Sequence, residues 1–181
     1  DGGDPAREAD VRDIVYQQAA PFTAKPQVLA ELSTRYAGTT WGRGDLALLT
    51  EYWWKTRQYK IWRLQPDAAG ITPKLFEEGS AEDRYADKGN PVTTLDARGQ
   101  SVLLTSADGA SIYRIGDGAS PEGDRPFLDR QVVDSGETTR LFHSSGQQYE
   151  RPLAMLDSQA SRILTTRESP SERPNFYLRT L

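Results

Sequence analysis

An all-β fold built from a repeated sheet unit is predicted by three observations. First, three stretches share one pattern: LALLT at 46–50, SVLLT at 101–105 and SRILT at 161–165 each end in two aliphatic residues and a threonine. Thr50, Thr105 and Thr165 are spaced 55 and then 60 residues apart. Second, a large apolar residue precedes each threonine by nine or ten positions, at Trp41, Leu95 and Leu156, and a polar, turn-like segment separates the two. Those segments are Gly42-Arg43-Gly44-Asp45, Asp96-Ala97-Arg98-Gly99-Gln100 and Asp157-Ser158-Gln159-Ala160. Third, LALLT and SVLLT read as apolar runs rather than clean alternation, the pattern of strands covered on both faces.

A period of this length made of short strands and turns points to propeller blades. A four-stranded blade has two apolar faces and cannot bury both alone, so blades stack face to face around an axis. About three blades' worth of strands fit in 181 residues, whereas a closed ring takes about 4–8. The chain is therefore read as a partial β-propeller, a fragment of a larger one. Its open sheet edges would be sites of self-association.

The elements follow in order. Residues 1–10 are polar and read as loop; RDIVYQQ (12–18) and QVLAEL (27–32) read as strands. Together they place the end of one blade at 1–34. The second unit, 35–91, holds RYAGTTW (35–41), LALLTEYWW (46–54), YKIWRLQ (59–65) and PKLFEE (73–78). Gly38 inside its first strand marks a place for close backbone approach. The third unit, 92–148, starts at Val92–Asp96 and continues with SVLLTS (101–106). Its third strand has two candidates, SIYRI (111–115) and FLDRQVVD (127–134). The latter is preferred because Ser135-Gly136 and TTRLF (138–142) follow it as a turn and KLF follow IWRL. That choice makes 107–126 an insertion. The last unit, 149–181, holds LAMLD (153–157), SRILTTRE (161–168), a polar bend at 169–174 and NFYLRTL (175–181).

Composition narrows the function classes. A net charge of −4 spread along the chain gives no basic footprint for nucleic acid. No apolar run approaches the roughly 18–20 residues of a membrane span. Cysteine is absent and histidine occurs once, which argues against a zinc site and implies no cofactor. There is no Gly-x-Ser-x-Gly elbow and no glycine-rich phosphate loop, and only His143 could serve a Ser-His-Asp triad. Placed at the end of an outer strand, His143 reads better as a surface residue, so no catalytic residue is assigned.

Two segments have both a functional and a plain reading. Glu51-Tyr52-Trp53-Trp54-Lys55-Thr56-Arg57 sets amphipathic aromatics beside cations, either as a recognition surface or as packing between sheets with the cations exposed. The stretch 107–126, with Asp117-Gly118 and Pro121-Glu122-Gly123-Asp124, is either a projection towards a partner domain or a long surface loop.

EYWWKTRQYKIWRL, SAEDRYADKGNPV, GASPEGDRPFLD and LTTRESPSERPNFYL resemble the β-propeller of the prolyl oligopeptidase family of serine peptidases, in its glutamyl endopeptidase type. GASPEGDRPFLD is the most specific of them. The resemblance runs in order over nearly the whole chain and implies the later blades of an N-terminal propeller. It further implies an α/β-hydrolase domain of the same protein as partner, holding the triad and facing the propeller, and peptides as substrates. The parent would be periplasmic, secreted or organellar. Cleavage after Glu requires a cation for a partly desolvated carboxylate, which Arg meets bidentately; on the propeller side Arg57 is the first candidate, followed by Lys55 and Arg84. The resemblance thus makes this chain a non-catalytic gating and recognition portion of a serine peptidase. The alternative is a binding or scaffolding propeller with no enzyme attached, and the sequence after Leu181 separates the two.

Overall fold

The computed structural model describes residues 9–68 and 70–181. Most of the expected loop at 1–10 lies outside them. The described residues contain strands and no helix. The chain divides into two compact units, Asp1–Glu82 and Asp83–Leu181.

In the first unit, β1 (Asp13–Gln17) pairs antiparallel with β2 (Gln27–Leu32). Then β3 (Arg35–Trp41), β4 (Ala47–Trp53), β5 (Gln58–Leu64) and β6 (Lys74–Ser80) form a four-stranded antiparallel meander in chain order. The apolar run of β4 is explained by cover on both faces, since Ala47, Leu48 and Leu49 are all buried in succession. On one face Leu49, Ala47 and Leu64 pack with Ala30 and Leu32 of β2. The two sheets of this unit are thus stacked through aliphatic side chains. Gly38 does not mark a close approach: it follows a bulge in β3, and a Cβ there would meet nothing within 4 Å.

Glu51 continues the core of the unit in polar form. It is fully buried and accepts hydrogen bonds from the Thr34 N–H (2.8 Å), the Thr34 hydroxyl (2.8 Å) and the Trp62 indole N–H (3.0 Å). These donors offset the cost of removing the carboxylate from water.

The second unit starts with β7 (Asn90–Pro91), β8 (Thr93–Leu95), β9 (Ser101–Leu103), β10 (Ser111–Gly116), β11 (Phe127–Val132) and β12 (Thr138–His143). One sheet has the order β12-β11-β10-β7, and β8 pairs with β9. A single bridge, Thr105 to Ile112, links the end of the β9 segment to β10. The expected insertion at 107–126 is corrected here. Its residues 111–116 are β10, paired along its whole length with β11, and Ser111 to Arg114 are buried in succession. Both candidate strands are real, and the irregular part shrinks to 117–126.

The unit closes with β13 (Tyr149–Met155), β14 (Arg162–Ser169) and β15 (Glu172–Thr180), a three-stranded antiparallel sheet in chain order. The polar bend expected at 169–174 is shorter, because β15 begins at Glu172. Tyr113 and Leu128 pack with Ala160 and Ile163, joining this sheet to the previous one.

The sequence repeat has a structural counterpart. The aliphatic-threonine motifs lie on β4, at the end of the β9 segment and on β14, in each case on the second strand of a hairpin. Asp96 and Asp157 fold the two later turns in the same way. Asp96 Oδ1 accepts the N–H groups of Arg98 and Gln100, and Asp157 Oδ1 those of Gln159 and Ser161. For Asp157 the Ser161 hydroxyl, which donates to Oδ2 at 2.7 Å, acts first and the backbone N–H groups after it; for Asp96 the Gln100 and Arg98 N–H groups act, and both carboxyl groups lie below the usual aspartate range.

Among the described residues, β15 has one edge against β14 and one without a strand partner. The Leu181 N–H donates to the Ser161 carbonyl. This sets the phase of the ladder, so that the amides of Asn175, Tyr177 and Arg179 face β14 and those of Phe176, Leu178 and Thr180 face away. Pro174 also falls on the outward set and has no N–H to offer. The Phe176 N–H is met by the neighbouring Asn175 side chain at 2.9 Å.

On the inner face of this sheet Glu150 receives Arg179 bidentately (2.7 and 2.8 Å) and the Thr165 hydroxyl (2.5 Å). Burial opposes its ionisation, but those hydrogen bonds and the charges of Arg179 and Arg167 outweigh burial, and the Glu150 pKa lies below the usual range. A depressed carboxylate pKa stabilises the fold above the unfolded value of about 4.3. The contribution is lost as pH falls through the lower folded value. Glu150→Gln should cost about 2 kcal/mol at neutral pH, less than a wholly buried pair because Arg179 is partly exposed. Urea midpoints of both proteins at pH 7 and pH 3 should show the gap narrowing in acid; a gap of constant size would remove Glu150 from this role.

Candidate functional site

Lys55 and Arg57 share the turn between β4 and β5. Arg57 adopts a left-handed backbone (φ 60°), an uncommon conformation for a side-chain-bearing residue. Its carbonyl accepts the Ala81 N–H at 2.8 Å. Its guanidinium donates to the Tyr52 hydroxyl (3.3 Å) and pairs with Glu82 (3.2 Å). Arg57 thus staples the turn to the chain just after β6, and its charge is already met by a carboxylate. Lys55 is exposed and makes no ion pair among the described residues. The aromatics beside them divide: Trp53 is half-buried with the Arg12 guanidinium 4.3 Å from its ring, while Trp54 is exposed.

Arg84 lies in the second unit. Its Nη2 contacts both Asp124 oxygens, at 3.2 and 3.1 Å. Asp124 belongs to the β10–β11 connection, so Arg84 clamps that loop. The loop is ordered in several further ways. Asp117 at its start faces Arg151 at 3.7 Å. The Ser120 hydroxyl donates to the Gly123 carbonyl (2.6 Å), and the Gly123 N–H to the Ser120 carbonyl (3.0 Å). The Arg125 N–H returns to the Gly118 carbonyl at 2.8 Å. Gly118 has φ 62°, and a Cβ there would lie 2.0 Å from the Arg125 carbonyl oxygen. Only glycine lets the two ends of the loop approach this closely.

Under this loop is a cavity of about 410 Å³. Tyr85, Ser120, Arg125, Phe127, Arg140 and His143 line it. The Arg140 guanidinium is bound by both oxygens of buried Asp129 and stacks 4.2 Å from the Phe127 ring. Its charge is therefore largely spent within the protein. Arg125 is half-buried and makes no ion pair among the described residues. His143 is exposed at the end of β12, as the sequence suggested. Sequence reasoning selected Arg84 near this cavity but passed over Arg125. The signal available was the motif itself, since Arg125 lies within GASPEGDRPFLD.

The geometry brings Lys55 and Arg57 together on one turn and places Arg84 beside a separate, preformed cavity. Arg57 and Arg84 are already paired with carboxylates, and Lys55 makes no ion pair among the described residues. Among the described residues no cluster of three or more His, Asp or Glu side chains could hold a metal ion.

No protein-family profile matches the chain. Two curated proteins are similar along 98% of it: a probable chloroplastic glutamyl endopeptidase of Oryza sativa subsp. japonica at 35% identity, and one of the same description from Arabidopsis thaliana at 33%. The chain spans 20% of the length of each. The chain is thus similar, over nearly all of its length, to one fifth of two plant proteins named probable glutamyl endopeptidase.

Proposed function

We propose that this chain is the later part of an N-terminal β-propeller in a serine peptidase of the prolyl oligopeptidase family, glutamyl endopeptidase type. The observation that carries the reading is 33–35% identity over 98% of the chain to two plant proteins named probable glutamyl endopeptidase. The fold supports it: repeated antiparallel sheets carry the aliphatic-threonine motif on equivalent strands, and within each unit neighbouring sheets stack through buried aliphatic residues. In this role the chain supplies no catalytic group. It restricts access to a hydrolase domain of the same polypeptide and contributes contacts to the peptide. Lys55, Arg57 and Arg84 are proposed contacts for an acidic substrate; Arg57 and Arg84 would have to exchange Glu82 and Asp124 for the substrate carboxylate, whereas Lys55 would not.

The full-length polypeptide should hydrolyse peptides on the carboxyl side of Glu and act far more slowly on the Gln counterparts. A full-length protein that cleaves neither would sink the reading. Arg57→Ala in the same assay separates the two roles of that residue, since unchanged preference for Glu over Gln would leave it only the stapling role.

A further inference from the structure

We propose that the cavity beneath the β10–β11 loop binds a carboxylate side chain of an acidic peptide, with Arg125 as its cation. This rests on the peptidase reading for the identity of the ligand, and on the cavity itself for its location.

Four features carry it. The loop is held before any ligand arrives, by Arg84 on Asp124, by the Ser120–Gly123 turn and by the Arg125–Gly118 closure. A preordered wall lowers the entropy lost on binding. Next, the two lining arginines are not equivalent: Arg140 is committed to Asp129, and Arg125 has no carboxylate partner among the described residues. A half-buried guanidinium with its fork unsatisfied is suited to bidentate recognition of a carboxylate. Third, Asp87 and Glu122 also line the cavity. Their negative charge opposes a dianion such as phosphate more strongly than a singly charged carboxylate, and their oxygens can accept N–H groups of a peptide backbone. Fourth, Phe127 and the exposed Tyr85 ring give apolar surface for the methylene stem of a Glu side chain.

The test uses the full-length protein and a pentapeptide, Ala-Ala-Glu-Ala-Ala, with a reduced bond after Glu so that binding is read without turnover. Calorimetric titration should show the Glu peptide binding at least tenfold more tightly than its Gln counterpart. Arg125→Ala should abolish that difference, and Arg125→Lys should restore part of it. Glu122→Gln, which leaves Arg125 in place, should tighten the Glu peptide two- to threefold, and guards against a variant that merely unfolds. Equal binding of the Glu peptide by wild type and Arg125→Ala overturns the proposal. So does inorganic phosphate competing as strongly as the peptide. If the protein hydrolyses no Glu peptide yet shows Arg125-dependent binding, the peptidase reading fails and the pocket stands. If it cleaves after Glu with Arg125→Ala unchanged in KM and in binding, the pocket fails and the peptidase reading stands.

Discussion

Ile163→Ala is expected to destabilise the protein by about 3–4 kcal/mol, within the usual range for truncating a buried aliphatic side chain. Ile163 is wholly buried and packs with Tyr113, Leu128 and Ala160, so the void is lined by residues of two sheets that are each fixed by their own ladders. Such walls relax little, and the residual cavity adds to the lost transfer free energy. Leu164, one residue on and therefore on the opposite face of β14, is half-buried. Leu164→Ala should cost about half as much. Urea denaturation of the two variants tests this directly. Equal losses would mean that the face of Leu164 is as well covered as that of Ile163.

Gly89→Ala is expected to cost about 3 kcal/mol, for a different reason. Gly89 has φ 77°, a region where a Cβ adds about 1–2 kcal/mol of strain. The added Cβ would also lie 2.6 Å from the Ile115 carbonyl oxygen and 2.8 Å from the Gly116 nitrogen, both on β10. Backbone must move, and the Gly89 carbonyl moves with it. That carbonyl accepts the Arg114 Nη1–H at 2.9 Å, while Arg114 Nε donates to Gln131 at 2.7 Å. Arg114 is nearly inaccessible to water, so weakening its hydrogen bonds is expensive. A thermal melt of Gly89→Ala within a degree or two of wild type would show that the segment shifts freely and that Arg114 does not depend on it.

Arg114 also explains what could and could not be read from the sequence. The aliphatic-threonine motifs were legible because β4 and β14 bury Leu48, Leu49 and Ile163 where the pattern is apolar. β10 was legible only as one of two options. Its sequence, Ser-Ile-Tyr-Arg-Ile-Gly, places an arginine in the middle of the most continuously buried strand of the unit, where hydropathy predicts exposure. The partners that make this burial possible, Gln131 and the Gly89 carbonyl, are 17 and 25 residues away. The same limit applies to the candidate site. Nothing local shows that Arg57 is taken up by Glu82, or that Arg84 reaches Asp124 across 40 residues. Selecting cations by type could not tell those already neutralised from Arg125, because that difference is made by folding.

The outer edge of β15 has a consequence for hydrogen exchange. Asn175, Tyr177 and Arg179 have their amides turned into the ladder with β14, and Phe176 has its own sheltered by Asn175. Pro174 has no amide proton at all. Among the described residues, Leu178 and Thr180 are left on this stretch with amides turned outward and no ladder bond, so one strand contains slow and fast protons in alternation. Any strand that pairs with this edge, from the same polypeptide or another, must slow these two protons first. Leu178 and Thr180 therefore form a built-in reporter of edge pairing, legible in the unaltered protein.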